Sequence, residues 1–223
     1  QKPGSFRRTA SGLLRQRKSA PLSLLRCLCR LNLTPLAVRR FAPPAMPCWI
    51  DTHCHLDAPE FAADLPAVRQ QARALGVRCC VIAAVRASTF DEARQAAHRL
   101  GDAYALGTHP LYVPQADEDA AQQLAAALQA HAGDARLVAV GEIGLDYYGD
   151  RKHTRAAQTT ALLAQLDLAQ QFGRPVLLHH VRAAADVVAA LKHSGFRNGG
   201  IAHAFSGSLE EARAFIRCGL LIG

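Results

Sequence analysis

The chain lacks several features that would have placed it quickly. No apolar run approaches the ~18 residues of a membrane span. No two cysteines form a C-x-x-C pair, so a structural zinc knuckle is not expected. No G-x-G-x-x-G follows an apolar run, which removes the fingerprint of a dinucleotide-binding sheet. Acidic residues are missing from positions 1–45, which hold Lys2, Lys18 and eight arginines. The formal charge of +8 is therefore local: positions 46–223 carry 16 basic and 18 acidic residues, a net of −2. Bulk charge gives the folded part no grip on nucleic acid.

Methionine is nearly absent as well. Met46 is the only one, directly before PCWIDTHCH, and the chain opens on Gln1. The Arg-rich, acid-free leader has the composition of a mitochondrial transit peptide. The plainer reading makes Met46 the start and residues 1–45 translated upstream sequence. On either reading the leader is disordered or outside the mature protein, and 46–223 is the folded domain. The seven cysteines (Cys27, Cys29, Cys48, Cys54, Cys79, Cys80 and Cys218) are odd in number, without framework spacing, and mostly in apolar runs that read as buried strand. Reduced thiols and a cytoplasmic location are the expectation.

What is present is alternation. Short apolar runs at 48–53, 79–85, 103–107, 137–144, 175–180, 199–205 and 219–223 are separated by Ala/Leu/Arg-rich segments of helical pattern, such as 65–76 and 159–173. Gly76, Gly173 and Gly195 sit where helices should stop. Strands this apolar, separated by helices, indicate a parallel sheet with its faces covered. Seven candidate strands fall one short of a closed (β/α)8 barrel. The expected fold is α/β, a TIM-type barrel incomplete at the C-terminus, with an open doubly wound sheet as the alternative.

Polar residues gather where the runs end. WIDTHCHLD places His53 and His55 on one face of a strand and Cys54 on the other. The third run leads into GTHP, with His109; the fourth contains Glu142; the fifth ends in His179 and His180; the sixth carries His203. The C-terminal ends of parallel strands are where a barrel builds its active site, and scattered core histidines would show no such preference. A buried carboxylate such as Glu142 is costly unless paired or metal-bound. His179 and His180 face opposite ways, so one of them joins the cluster, and alternation does not say which.

DTHCHLD, GTHP, GEIGLDYY, PVLLHHVR and HAFSG, in this order and spacing, resemble the TatD-type metal-dependent deoxyribonucleases of the amidohydrolase superfamily. The resemblance spans essentially all of 47–223. It implies a TIM barrel with two divalent metal ions (Zn, Mn or Mg) that hydrolyses phosphodiester bonds in DNA from single-stranded or 3′ ends. Carried over by position, His53 and His55 hold one ion, the catalytic Glu142 bridges both, and His179 and His203 hold the second. Counting back from Arg182 would select His180 instead of His179. The carboxylated lysine that bridges metals in related barrels has no counterpart, because Lys152 and Lys192 lie outside the strand-like runs. The family's further metal-binding Asp on the last strand has no counterpart either. No aspartate follows Asp186, and Glu210 and Glu211 lie on a helical segment. The chain is thus expected to be a C-terminally truncated version of the enzyme, with its activity in question.

The flanking residues each carry two readings. Arg182 can hold a phosphate oxygen or be a solvated helix-start arginine. His109 can contact substrate phosphate or be structural. Tyr147 and Tyr148 can stack on bases or pack under a loop. Ser206 and Gly207 can face the metals or serve a turn. Asp51 and Asp146 read as residues that orient ligands, and His98, His131, His153 and His193 read as surface residues. A monomeric nuclease without membrane contact is the leading function. The alternatives are a hydrolase of C–N or ester bonds and a non-catalytic metal-binding remnant.

Overall fold

The computed structural model describes residues 48–117, 119–149 and 151–223. The chain divides between Met46 and Pro47, and the expectations for the leader, Cys27 and Cys29 included, fall outside the described residues.

All seven expected strands form: β1 (Trp49–Cys54), β2 (Val77–Ala83), β3 (Ala103–Leu106), β4 (Leu137–Asp146), β5 (Val176–Val181), β6 (Gly200–Ala202) and β7 (Leu220–Ile222). They pair in chain order, every pair parallel. Six α-helices separate them among the described residues: α1 (Leu65–Ala74), α2 (Phe90–Leu100), α3 (Ala120–Ala130), α4 (Arg155–Gln171), α5 (Ala184–His193) and α6 (Leu209–Arg217). The helices end as the sequence suggests, with Gly76, Gly173 and Gly195 all at positive φ just beyond α1, α4 and α5. Helix α6 begins with a capping box, Ser208 and Glu211 each satisfying the other's backbone N–H.

Strand alternation sorts the core into two layers. Cys80, Ile82, Tyr104, Leu106, Val140, Val176 and Leu178 pack with helix residues such as Leu124, Leu162 and Phe215. Val81, Ala83, Ala103, Ala105, Ala139 and Leu177 line the opposite face. The sheet curls into a half-barrel, and alanine dominates this buried layer. Among the described residues β1 and β7 are the sheet's outer strands, where Trp49, Ile50, Leu221 and Ile222 are exposed.

Two register shifts aim the polar residues. One lies between Asp51 and Cys54 in β1, the other between Val140 and Ile143 in β4. An extra residue in a strand reverses the alternation beyond it. In β4 the shift returns Ile143 to the helix-facing layer and turns Glu142 toward the histidines. Gly144 (φ 143) lets β4 and β5 approach closely there, since a Cβ at that position would collide with the His179 carbonyl.

Candidate metal centre

Glu142 is 1% exposed, and five imidazoles surround its carboxylate. Its two oxygens divide them. Oε2 faces His53 Nε2 at 3.1 Å and His55 Nε2 at 3.3 Å. Oε1 faces His203 Nε2 at 2.5 Å, His179 Nδ1 at 2.8 Å and His109 Nε2 at 3.3 Å. The donors come from β1 and the residue after it, the loop after β3, the middle of β4, the C-terminal half of β5 and the turn after β6. Grouped by mutual distance, the ligand atoms form two sets that share Glu142: with His53 and His203, and with His109 and His179.

The strand settles the choice between adjacent histidines. His179 enters the cluster, while the His180 ring packs against Phe205 and Phe215 at centroid distances of 5.4 and 5.0 Å. A second support fixes His179: its Nε2 lies 3.0 Å from Asp146 Oδ2. Asp146 in turn accepts from the Tyr148 backbone N–H and from Arg151, and Gln158 clasps its backbone on both sides.

The electrostatics favour a cation. Burial pushes the Glu142 carboxyl up, but hydrogen bonds from His109, His179, His203 and His53 outweigh it and hold the group well below the usual carboxylate range. Burial lowers His53 and His109, leaving neutral rings with lone pairs to offer. At His179 burial also acts downward, but Asp146 and Glu142 override it and raise the ring to about 9. Imidazole nitrogens meet nitrogen to nitrogen, at 3.2 Å for His53–His55 and for His109–His179. Such contacts need a proton or a metal between lone pairs, and nitrogen with carboxylate oxygen is the donor set that Zn²⁺ and Mn²⁺ accept. The two sets sharing Glu142 are donor clusters of a kind that can hold a divalent cation.

A family model for TatD-related DNases matches residues 50–223. The chain belongs to that family. It is 38% identical over 176 residues to the uncharacterized metal-dependent hydrolase YjjV of Escherichia coli K12, covering 78% of this chain and 67% of the relative. It is 35% identical to the 3′-5′ ssDNA/RNA exonuclease TatD of Edwardsiella piscicida, covering 78% and 66%. The crystal structure of YjjV superposes with a TM-score of 0.73 at 37% identity, over 78% of this chain and 66% of that one. The TatD-family chain thus spans about two thirds of the length of these relatives.

The other expected site residues fall in different places. His109, read from sequence as a substrate contact, is only 6% exposed and stands inside the cluster, its Nδ1 accepting from the Leu111 backbone. Tyr147 does not offer a stacking face: it is 7% exposed and packs in the core beneath Arg155. Tyr148 is 56% exposed, with Arg182 4.8 Å and Arg151 5.9 Å from its ring centroid. Arg182 (φ 53) and Ala204 (φ 49) hold left-handed backbone just after His179 and His203, the kind of local strain that gathers at functional sites. Ser206 lies exposed on the loop before α6. Asp51 does not share a face with His53; its carboxylate takes the His53 backbone N–H and groups with Cys54 and Cys80. Sequence reading missed Gln158 and Gln165. Both lie on the buried stripe of α4, where a glutamine among leucines must satisfy something, and Gln165 clasps the Thr108 backbone to fix the GTHP loop.

Proposed function

We propose that the chain is the metal-binding portion of a phosphodiesterase acting on single-stranded DNA from the 3′ end. The observation that carries the reading is Glu142, one carboxylate whose two oxygens serve separate sets of histidines. In this reading His53 and His55 would hold one divalent ion and His179 and His203 the other, with Glu142 serving both; the His203 ligand atom also groups with that of His53, so it stands between the two sets. His109 is close enough to Oε1 to join the second set. The chemistry such ions supply when bound is a water of lowered pKa and neutralised charge on the phosphoryl oxygens.

The chain's own residues do the rest. Glu142, held ionised, keeps the two sets of imidazoles in register. Asp146 holds the far nitrogen of His179 and so aims its near one. Arg182 and Arg151 flank the exposed Tyr148, a rim where phosphates can meet guanidinium and a base can stack. The exonuclease relative from Edwardsiella piscicida supports a single-stranded substrate.

The test uses Mn²⁺-loaded protein and a 5′-labelled single-stranded oligonucleotide. Stepwise 3′ shortening is expected, and Glu142→Gln should slow it at least ~10²-fold, as loss of a key electrostatic group does. Turnover of a cyclic amide without shortening would favour a C–N hydrolase. Stoichiometric metal uptake with neither reaction would leave a metal-binding remnant.

A further inference from the structure

A second donor cluster lies on the other side of β1. The ligand atoms of Asp51, Cys54 and Cys80 all fall within 4.8 Å of one another. Cys80 is buried and pairs with Asp51 in the β1–β2 register, while Cys54 pairs with Ile82. Cys80 and Ile82 belong to the helix-facing layer, and partners in a parallel ladder point the same way. Asp51 and Cys54, three apart, would face opposite sides of a regular strand. The register shift between them puts both on the helix side and leaves His53 and His55 to the interior.

We propose that Asp51, Cys54 and Cys80 form a separate site for one thiophilic divalent cation of the Zn²⁺ class. Two thiolates and a carboxylate are a zinc donor set, and donors around one zinc stand about 3.3–3.8 Å apart, so small side-chain rotations close the cluster. The Val81 carbonyl, 3.4 Å from Cys54 Sγ, is an adjacent oxygen donor. A disulfide fits worse. One strand across and two residues along separates the Cys54 and Cys80 Cα atoms by about 8 Å, beyond the ~7 Å a disulfide spans. The neighbouring cation does not oppose the ion, because Asp102 takes the Arg69 charge in two hydrogen bonds of 2.6 and 2.7 Å. Asp102 also accepts from the Cys80 backbone N–H, which anchors β2 at this point. An ion here ties the edge strand that carries His53 and His55 to its neighbour.

Titration of the full chain with Co²⁺ tests the site. One equivalent should produce intense thiolate-to-cobalt charge-transfer absorption, which a centre of imidazole and carboxylate cannot give. The band should survive in a His53→Ala/Glu142→Gln double variant and in a variant with Cys27, Cys29, Cys48, Cys79 and Cys218 replaced by serine. Cys54→Ser and Cys80→Ser should each abolish it, and Asp51→Asn should weaken binding at least tenfold. If Cys80→Ser loses its circular dichroism, Cys54→Ser and Asp51→Asn decide. Cobalt-loaded wild type without the band, a band indifferent to Cys54→Ser, or a band lost with the histidine centre would each overturn the proposal.

Discussion

His179 and His180 are neighbours with the same side chain and opposite surroundings. His179→Ala should cost a metal equivalent, and its effect on melting temperature should shrink as pH rises toward about 9. His180→Ala should keep the metal and lower the melting temperature, because it empties space against Phe205 and Phe215. Metal content by elemental analysis and thermal unfolding separate the two. Asp146→Asn should weaken metal affinity or activity about 10- to 100-fold by freeing the far nitrogen of His179. The raised pKa of His179, about 9, gives a pH signature. In the metal-free protein its protonated form adds stability that is full below about 6.5 and lost as pH rises through about 9. An ion must displace that proton, so affinity should increase with pH over the same window and calorimetry should record proton release. At this scale the motifs picked out Glu142 and the four histidines, His53, His55, His179 and His203, that the fold gathers around it. They did not reveal which tyrosine turns outward, or that His109, gathered with the others at a run end, comes within reach of the Glu142 carboxylate, because such choices depend on loops whose path no spacing records.

Among elements, strand positions were legible from apolar runs, and helix ends from glycine. The register shifts were not, because an extra residue in a strand looks like any other residue in a run. Gly144→Ala is the sharp test of the β4–β5 approach: a methyl forced against the His179 carbonyl should destabilise by about 1–3 kcal/mol, as overpacking does. A tie that the sequence hid is Arg69 on α1, fully buried with Asp102 before β3 and bonded also to the Val77 and Arg78 carbonyls. Arg69→Ala leaves a buried charge uncompensated, and chemical denaturation should show a loss of about 3–5 kcal/mol. Asp134 joins α2 to β3 through His98 and Tyr104. Burial pushes its carboxyl up, but the Arg136 N–H, His98 and Tyr104 hold it down at about 2. Its contribution is present above about 4 and fades as pH falls through about 2. The stability gap between wild type and Asp134→Asn should therefore be widest near neutrality and close in acid.

Across the whole molecule, the parallel order was readable because βα alternation permits few topologies. The curl into a half-barrel was expected as well, from the resemblance and the count of seven parallel strands; the alanine that dominates the buried inner layer was not, because a run's composition does not say which face each residue takes. Among the described residues the sheet has two outer strands with apolar side chains facing solvent, Trp49 and Ile50 on one and Leu221 and Ile222 on the other. Unpaired edges of this kind invite pairing with another chain. Light scattering should rise with protein concentration, and Ile50→Lys with Leu221→Lys should suppress it. Among the described residues no helix is long and apolar enough to cross a membrane.

The irregularity in β1 also sets how the gene tolerates change. Thr52 lies in the short stretch where the pairing slips, and exchanging its side chain should be mild. Deleting it should be ruinous, because the strand would regain strict alternation and present sulfur to the cavity and imidazole to the helices. Codon count, more than codon identity, is what this stretch must preserve.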